Sequence, residues 1–174
     1  MSPAAAHERA IVANLMQLYT HDFSAFWRGQ PYGELLPDGR FADYPLEPYW
    51  QVAGWDPLLI RVGGHLAGFA LVNPVSHSGA PVDRNVGEFF VVRKHRRGGV
   101  GTASAQALFR RWPGVWEAAV ARRNMGARAF WREAINSCPG VADARETDVA
   151  SELWNGFIFR FRMGDSALKL DHAP

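Results

Sequence analysis

Residues 88–103 read EFFVVRKHRRGGVGTA, which is an apolar strand pattern, a basic turn rich in glycine and the start of a helix. The first four N–H groups of a helix have no intrahelical partner, and the helix dipole adds partial positive charge at that end. Gly98, Gly99 and Gly101 let the backbone approach an anion closely. The N–H groups of residues 97–102 are therefore predicted to cradle a phosphate or pyrophosphate group.

Two common phosphate-binding loops do not match this turn. The pattern Gly-x-x-x-x-Gly-Lys-Ser/Thr is absent, which excludes a P-loop nucleotide-binding protein. The pattern Gly-x-Gly-x-x-Gly fails because Ser104 occupies its last position. The fingerprint of a dinucleotide-binding fold is therefore not present at this turn.

The sequence around the turn alternates between strand and helix patterns. Strands are predicted at residues 58–62 and 66–72, which flank the hairpin signal Gly63-Gly64, and at residues 86–92, 115–120 and 157–163. Helices are predicted at residues 10–19, 99–111 and 124–135, with Ser24 capping a short additional helix through Trp27. Residues 29–55 are predicted to form a long ordered loop with one helical turn, and the last ten residues a tail. The fold class is mixed α/β.

Length and composition exclude several classes of protein. Apolar residues make up 48% of the 174 residues, which excludes disorder as the main state, and the length favours one domain over residues 1–174. Cys138 is the single cysteine, so it cannot form an internal disulfide or a thiolate cluster. No apolar run approaches the roughly 20 residues of a membrane span, and no signal-peptide pattern opens the sequence. We expect a cytoplasmic protein without a bound metal.

The basic residues are concentrated in one window. Ten of the nineteen Lys and Arg residues fall between Arg93 and Arg132, and that window contains a single acidic residue, Glu117. A locally basic surface favours a polyanionic partner, either nucleic acid or a phosphorylated cofactor, and a solvated basic face without a partner is the alternative.

Two blocks of the sequence resemble one protein family. Residues 96–101 match the pattern Arg/Gln-x-x-Gly-x-Gly/Ala, the pyrophosphate loop of the GNAT superfamily of acyl-CoA-dependent N-acyltransferases. Asn124-x-x-Ala127-x-x-Phe130-Trp131 is similar to the family's Asn-x-x-Ala-x-x-Phe-Tyr helix. The resemblance covers about residues 58–163. It implies a mostly antiparallel central sheet that is flanked by helices and splayed at a V-shaped cofactor slot.

The resemblance also implies the reaction, which is direct attack of an amine on acetyl-CoA in a ternary complex. The residues implied in acetyl-CoA binding are Phe89, Phe90, Val91, Arg96, Arg97, Gly98, Gly99, Val100, Gly101, Thr102, Asn124 and Phe130. Among these, the Val91 N–H is the implied oxyanion donor, made available by a β-bulge. Arg93, Arg96, Arg122 and Arg123 are expected near the nucleotide end, which would explain the basic window without nucleic acid.

Glu88 is the first candidate for the general base that deprotonates the amine, since it lies on the central strand three residues before Val91. Partial burial would raise its pKa towards neutrality. A structural ion pair with an arginine such as Arg61 is the alternative role for Glu88, and His21 is the second candidate base. Trp131 stands where the family commonly has the Tyr that protonates the leaving thiolate. The general acid is therefore unassigned.

The resemblance implies that the first helices and their loop cover the acceptor pocket, together with the loop before the last strand. In that region Tyr19, His21, Asp22 and Trp27 are the candidate substrate-binding residues. Other aromatic and acidic residues of that region, and one from the far end, are Phe23, Tyr32, Glu34, Tyr44, Tyr49, Trp50 and Trp154. Aromatic walls with a few acids suit a cationic amine. The expected acceptor is a small primary amine or an amino-acid-like molecule, with a protein N-terminus or lysine as the alternative.

Two readings without acetyl transfer stay open. The missing Tyr at position 131 fits a non-enzymatic acyl-CoA sensor, and the basic window fits a nucleic-acid-binding module. A homodimer is a further open alternative, through pairing of an exposed aromatic strand at residues 157–161. Our expectation is a small-molecule partner, with no nucleic acid and no membrane.

Overall fold

Seven strands form one sheet in the computed structural model, which describes residues 1–30 and 33–164. The strands are β1 (Ser2–Pro3), β2 (Asp56–Val62), β3 (His65–Asn73), β4 (Arg84–Val91), β5 (Gly114–Ala121), β6 (Val141–Ala150) and β7 (Asn155–Met163). Their order in the sheet is β1-β2-β3-β4-β5-β7-β6. The β1–β2, β2–β3, β5–β7 and β6–β7 pairs are antiparallel, whereas β4 and β5 are parallel. The prediction of a mixed α/β fold with a mostly antiparallel sheet is confirmed.

Four α-helices accompany the sheet in the described part of the chain: α1 (Arg9–Ser24), α2 (Pro48–Gln51), α3 (Val100–Phe109) and α4 (Met125–Asn136). Helix α2 is the helical turn predicted inside the long loop. Pro48 is its first residue, a position that suits proline because the N–H that proline lacks would have no partner within the helix. The prediction that Ser24 caps another helix is wrong. Ser24 is the last residue of α1, and its hydroxyl donates to the carbonyl of His21 at 2.7 Å.

Contacts divide the chain into two compact units, and each unit contains two separate parts of the sequence. The first unit comprises Met1–Val72 and Glu88–Arg96, and the second comprises Asn73–Gly87 and the described residues from Arg97 onward. The expectation of one domain over residues 1–174 stays a prediction. Among the described residues, no helix is both long and apolar enough to cross a membrane.

Each unit has its own apolar core. In the first unit α1 packs its buried face on β2, β3 and β4, and the core includes Val12, Met16, Leu59, Phe69, Leu71 and Phe90. In the second unit the ring of Phe109 on α3 lies 4.7 Å from that of Phe161 and 5.5 Å from that of Trp116. Trp131 on α4 joins this cluster at 6.2 Å from Phe109 and is 6% exposed.

Strand β6 was not predicted from the sequence, because its residues VADARETDVA lack the alternation of apolar and polar positions typical of a half-buried strand. It lies at the edge of the sheet, so β7 pairs on both sides, with β5 and with β6. The expectation that residues 157–161 form an exposed strand is therefore wrong, and Phe157, Phe159 and Phe161 are each at most 5% exposed. A homodimer stays a prediction, but not one that β7 can support.

A buried carboxylate fixes the loop between β3 and β4. Glu117 lies in the middle of β5 with no exposed surface. Its Oε1 accepts from the backbone N–H groups of His77 at 2.5 Å and Ser78 at 3.1 Å. Its Oε2 accepts from the hydroxyls of Ser78 at 2.6 Å and Ser76 at 3.3 Å, and the guanidinium of Arg160 lies 3.6 Å away. These donors compensate for the removal of the charge from water.

Replacing Glu117 by Gln is therefore expected to lower the free energy of unfolding by about 2–3 kcal/mol, because an amide NH₂ would face donors that need an acceptor. Chemical denaturation followed by circular dichroism measures the change. Glu133→Gln is the matched control, since that side chain is exposed, and we expect it to be neutral. Equal stabilities of the two variants would contradict the structural role of Glu117.

Candidate functional site

A glutamate between two tyrosines is the chemically most distinctive feature of the first unit. Glu88 lies on β4, and its carboxyl group is hydrogen bonded by the phenol groups of Tyr19 on α1 and Tyr44 in the loop before α2. Loss of water around the carboxyl raises the pKa of Glu88 to about 7, although the two phenol hydrogen bonds act in the opposite direction. The residue as a whole keeps some exposed surface, although its carboxyl group is largely shielded from water.

The two phenols are themselves held in place by the core of the first unit. The ring of Tyr19 meets those of Phe69 and Phe90 edge-on, at 6.1 and 6.0 Å. The phenol of Tyr44 is hydrogen bonded to Tyr49, which is 2% exposed. Burial raises the pKa of Tyr19 and of Tyr44, and the charge of Glu88 raises both further, so the phenols stay protonated. A carboxylate with a pKa near neutrality and fixed donors on it is suited to accept a proton from an ammonium group.

The alternatives to a base at Glu88 have different surroundings. Arg61 donates to Glu8 at 2.8 Å, so it is not the partner of Glu88 that the alternative structural role named. His21 lies in the last turn of α1, its side chain is 70% exposed, and its ring meets that of Phe41 at 6.5 Å. Its Nδ1 also lies 3.8 Å from Oδ1 of Asp22, and the roles of His21 as a base and in acceptor binding stay predictions.

Asp22 is engaged in an ion-pair cluster within the first unit. Its Oδ1 accepts from Nη2 and Nε of Arg93 at 2.7 and 3.1 Å, and its Oδ2 accepts from Nη2 of Arg96 at 2.5 Å. Burial alone would raise the pKa of Asp22, but the hydrogen bonds from the two arginines outweigh it and hold the pKa below its usual range. Since both oxygens already have cationic partners, the role of Asp22 in acceptor binding stays a prediction that would require this cluster to open.

Aromatic rings continue from Tyr19 along the end of α1. The ring of Phe23 lies 5.3 Å from that of Tyr19 and 5.1 Å from that of Trp27. Trp50 has a structural role, because its indole N–H donates to the carbonyl of Ala4 at 3.0 Å. Of the remaining candidates, Glu34 is exposed and Tyr32 is outside the described residues. The ring of Trp154 lies in the second unit, 4.6 Å from that of His77.

The glycine-rich turn of the second unit has the geometry of an anion-binding site. The first N–H that bonds within α3 is that of Ala103, to the carbonyl of Gly99, so the N–H groups of residues 99–102 have no partner in the helix. Gly99 has φ +78°, and Arg97 has φ 62°. A Cβ atom at Gly98 or Gly99 would meet nothing within 4 Å, which leaves open space beside the backbone donors. These features fit the pyrophosphate of a coenzyme A molecule.

The second family block lies next to this turn. A Cβ atom at Gly101 would come within 3.1 Å of the ring of Phe130, so α3 and α4 approach each other closely there. The side chain of Asn124 caps α4 by accepting from the N–H of Ala127 at 3.0 Å. Trp131 is packed against Phe109 and Phe130. Residues 1–30 and 33–164 contain no group of three His, Cys, Asp or Glu side chains that could hold a metal ion.

Much of the basic window is neutralised by acids from outside it. Five of its arginines form ion pairs: Arg93 and Arg96 with Asp22, Arg122 with Asp148, and Arg128 and Arg132 with Glu146. Ion-paired guanidinium groups are less available to a polyanion than the linear sequence indicates.

A comparison with protein families decides the assignment. The model of the acetyltransferase (GNAT) family matches residues 12–135, which is more than half of the chain. The chain belongs to this family. Membership places this GNAT protein among the acyltransferases. No curated protein matches its sequence significantly.

Solved structures resemble this GNAT protein over most of their length. An acetyltransferase from Thermus thermophilus has a TM-score of 0.58 at 13% identity, covering 92% of this chain and 93% of that one. A GNAT-family acetyltransferase from Staphylococcus aureus has a TM-score of 0.56 at 10% identity, covering 92% and 96%. The GNAT domain of S. lividans PAT has a TM-score of 0.54 at 16% identity, covering 92% and 88%. At these identities the likeness shows the fold.

The raised pKa of Glu88 predicts a specific dependence of stability on pH. The unfolded chain loses the Glu88 proton near its ordinary pKa of 4.5, whereas the folded GNAT protein keeps it until about pH 7. Stability is therefore lost as pH rises through this interval, by about 3 kcal/mol in total. The free energy of unfolding of wild type minus that of Glu88→Gln should fall by that amount between about pH 4 and about pH 8.

Urea denaturation at a series of pH values measures this difference. The Glu133→Gln control should give a curve parallel to that of wild type, because its side chain is exposed. A Glu88→Gln curve that also runs parallel to wild type would show that the Glu88 carboxyl is not desolvated.

Proposed function

We propose that this GNAT protein transfers an acetyl group from acetyl-CoA to a primary amine, by direct attack within a ternary complex. The observation that carries the proposal is the Glu88 carboxyl on β4, whose pKa is raised to about 7 between two phenol donors. The same strand leads along the chain into the anion-binding turn at the start of α3. A small amine or an amino-acid-like molecule is the proposed acceptor.

Acetyl-CoA is the proposed donor because the family is one of acetyltransferases and the turn fits its pyrophosphate. The N–H groups of residues 97–102 would bind the pyrophosphate, Asn124 and Phe130 would contact the pantetheine arm, and residues 89–91 would lie at the acetyl end. One fold neighbour, the CoA-dependent acyl-homoserine lactone synthase BjaI, was solved with isopentyl-CoA, at a TM-score of 0.54 and 17% identity. This supports an acyl-CoA as the donor only through the fold.

Glu88 acts on the acceptor rather than on the donor in this mechanism. The amine arrives as an ammonium ion, and Glu88 removes a proton so that the nitrogen lone pair can attack the thioester carbonyl carbon. The N–C bond of the amide forms, the C–S bond breaks with its electron pair leaving on the sulfur, and the remaining extra proton on nitrogen passes to water. The N–H of Val91 would donate to the carbonyl oxygen as negative charge develops on it.

The leaving thiolate has no assigned proton donor. Trp131 is buried in the aromatic core, and its indole N–H is far too weak an acid. The raised pKa values of Tyr19 and Tyr44 make these phenols weaker acids than free tyrosine. Burial likewise raises the pKa of the Cys138 thiol. The thiolate would therefore leave as such and take a proton from water.

The rings around Glu88 favour a cationic acceptor. Tyr19, Phe23 and Trp27 form a continuous aromatic series, and such faces attract ammonium groups through their quadrupoles. A protein N-terminus or lysine is the alternative acceptor. A ribosomal-protein-alanine N-acetyltransferase from Brucella melitensis shares the fold at a TM-score of 0.50 and 15% identity, which does not discriminate between these acceptors.

A thiol-release assay with acetyl-CoA tests the reaction against a panel of polyamines, amino acids, aminoglycosides and peptides. Glu88→Gln should lower kcat by about 100-fold or more while acetyl-CoA still binds, because the base is lost and the donor site is not. Glu133→Gln should leave turnover unchanged. Turnover that survives in Glu88→Gln would remove Glu88 as the base, and acetyl-CoA binding without turnover of any amine would favour the acyl-CoA sensor.

The dependence of kcat/KM on pH tests whether the two phenols set the pKa of Glu88. The acid limb of kcat/KM should lie near pH 7, where Glu88 loses its proton. Tyr44→Phe removes a hydrogen bond that lowers the pKa of Glu88, so the limb should move to higher pH. Tyr49→Phe should move it less, since Tyr49 bonds to Tyr44 and not to Glu88. Superimposable profiles for wild type and Tyr44→Phe would contradict this arrangement.

The anion-binding turn predicts a separate effect on the donor. Gly99→Ala places a methyl group into the open space beside the helix N-terminus and should weaken acetyl-CoA binding by about 10-fold, as expected for one lost charge-assisted hydrogen bond. Gly39→Ala is the matched control, because Gly39 has φ +80° and equally open surroundings. Both variants carry the same backbone strain of about 1–2 kcal/mol. Equal affinities for acetyl-CoA, measured by calorimetry, would contradict the proposed site.

A further inference from the structure

Gly68 on β3 is in unusually close contact with the backbone of β4. A Cβ atom at this position would lie 1.9 Å from the carbonyl oxygen of Phe90 and 3.0 Å from the Cα of Val91. Atoms of a regular neighbouring strand do not come this close to a Cβ atom, because strands are spaced about 4.7–4.9 Å apart and side chains stand out of the sheet. The carbonyl of Phe90 therefore points at the bare face of Gly68, where a side chain would otherwise stand.

The direction of this carbonyl fixes the direction of the next N–H group. The peptide bond between Phe90 and Val91 is trans, as are all the described peptide bonds, so the C=O of Phe90 and the N–H of Val91 point in opposite directions. Because the carbonyl points towards Gly68, the N–H of Val91 points away from it.

Hydrogen bonds anchor the peptide that follows, between Val91 and Val92. The carbonyl of Val91 accepts from Nε of Arg96 at 2.6 Å, and the N–H of Val92 donates to the carbonyl of Ala67 at 2.8 Å. Arg96 is itself fixed by Asp22, through the bond to its Nη2. The peptide that follows Phe90–Val91 is thus anchored at both its carbonyl and its N–H.

We propose that Gly68 is a positioning residue for acetyl transfer: its missing side chain seats the Phe90 carbonyl and thereby aims the Val91 N–H at the thioester oxygen. This inference rests on the proposed function. Gly68 touches neither donor nor acceptor in this role. Any side chain at position 68 would push the carbonyl back and rotate the N–H off its target.

Gly68→Ala is the direct test, since the backbone of Gly68 has no positive φ that would strain an alanine. We expect kcat to fall by about 100-fold, the effect of losing one oxyanion donor, while KM for acetyl-CoA changes little. Gly164→Ala, just after the end of β7, is the matched control, because its Cβ would make an ordinary contact of 3.6 Å. A merely structural role would lower stability without separating kcat from KM.

Two spectroscopic measurements follow the N–H itself. In wild type, the amide proton of Val91 should shift downfield with acetyl-CoA but not with coenzyme A, and the carbonyl stretch of ¹³C-labelled acetyl-CoA should move to lower frequency. Both shifts should be lost in Gly68→Ala. The wild-type measurement decides the matter even where Gly68→Ala does not fold, because an unshifted Val91 amide overturns the proposal.

The outcomes separate this inference from the function on which it rests. No binding of acetyl-CoA to wild type would overturn both. Turnover of an amine by wild type, with the same kcat and the same carbonyl frequency in Gly68→Ala, would overturn the role of Gly68 alone.

Discussion

The desolvation of one carboxyl group is the constraint on which the proposed chemistry of this protein depends. Burial of the Glu88 carboxyl removes water that would solvate its charge, and its pKa rises to about 7. Two phenols prevent the rise from going further. Without burial Glu88 would be ionised and weakly basic, and without the phenols it would stay protonated at neutral pH. The opposing effects produce a group that exchanges a proton near neutrality.

Glu117 shows what a glutamate on a neighbouring strand becomes when donors are abundant. It is completely buried, yet two backbone N–H groups and two hydroxyls bond to its oxygens. Such a carboxylate is saturated and has no lone pair to spare for a substrate. Glu88 has only phenol donors and some exposed surface. The number of donors, rather than the residue type, separates the structural glutamate from the proposed base.

Local patterns in the sequence predict the order of the main strands and helices, the phosphate-binding turn and Glu88 as a candidate base. The partners of Glu88 could not be predicted, because Tyr19 and Tyr44 reach it from a helix and a loop that are distant in sequence. The arginines bound to Asp22 were missed for the same reason. Strand β6 was missed because an edge strand buries little surface and its sequence needs no apolar alternation.

The ion pairs of the basic window make its arginine side chains less available to a phosphate than the backbone N–H groups are. Arg96 and Arg122 are engaged with Asp22 and Asp148, so their charges are partly neutralised within the protein. The backbone N–H groups at the start of α3 have no such competing partner in the helix. They also lose no side-chain entropy when an anion binds, and they do not titrate. The proposed anion recognition by backbone donors would therefore explain the glycines of the turn, which recognition by the arginines around it would not.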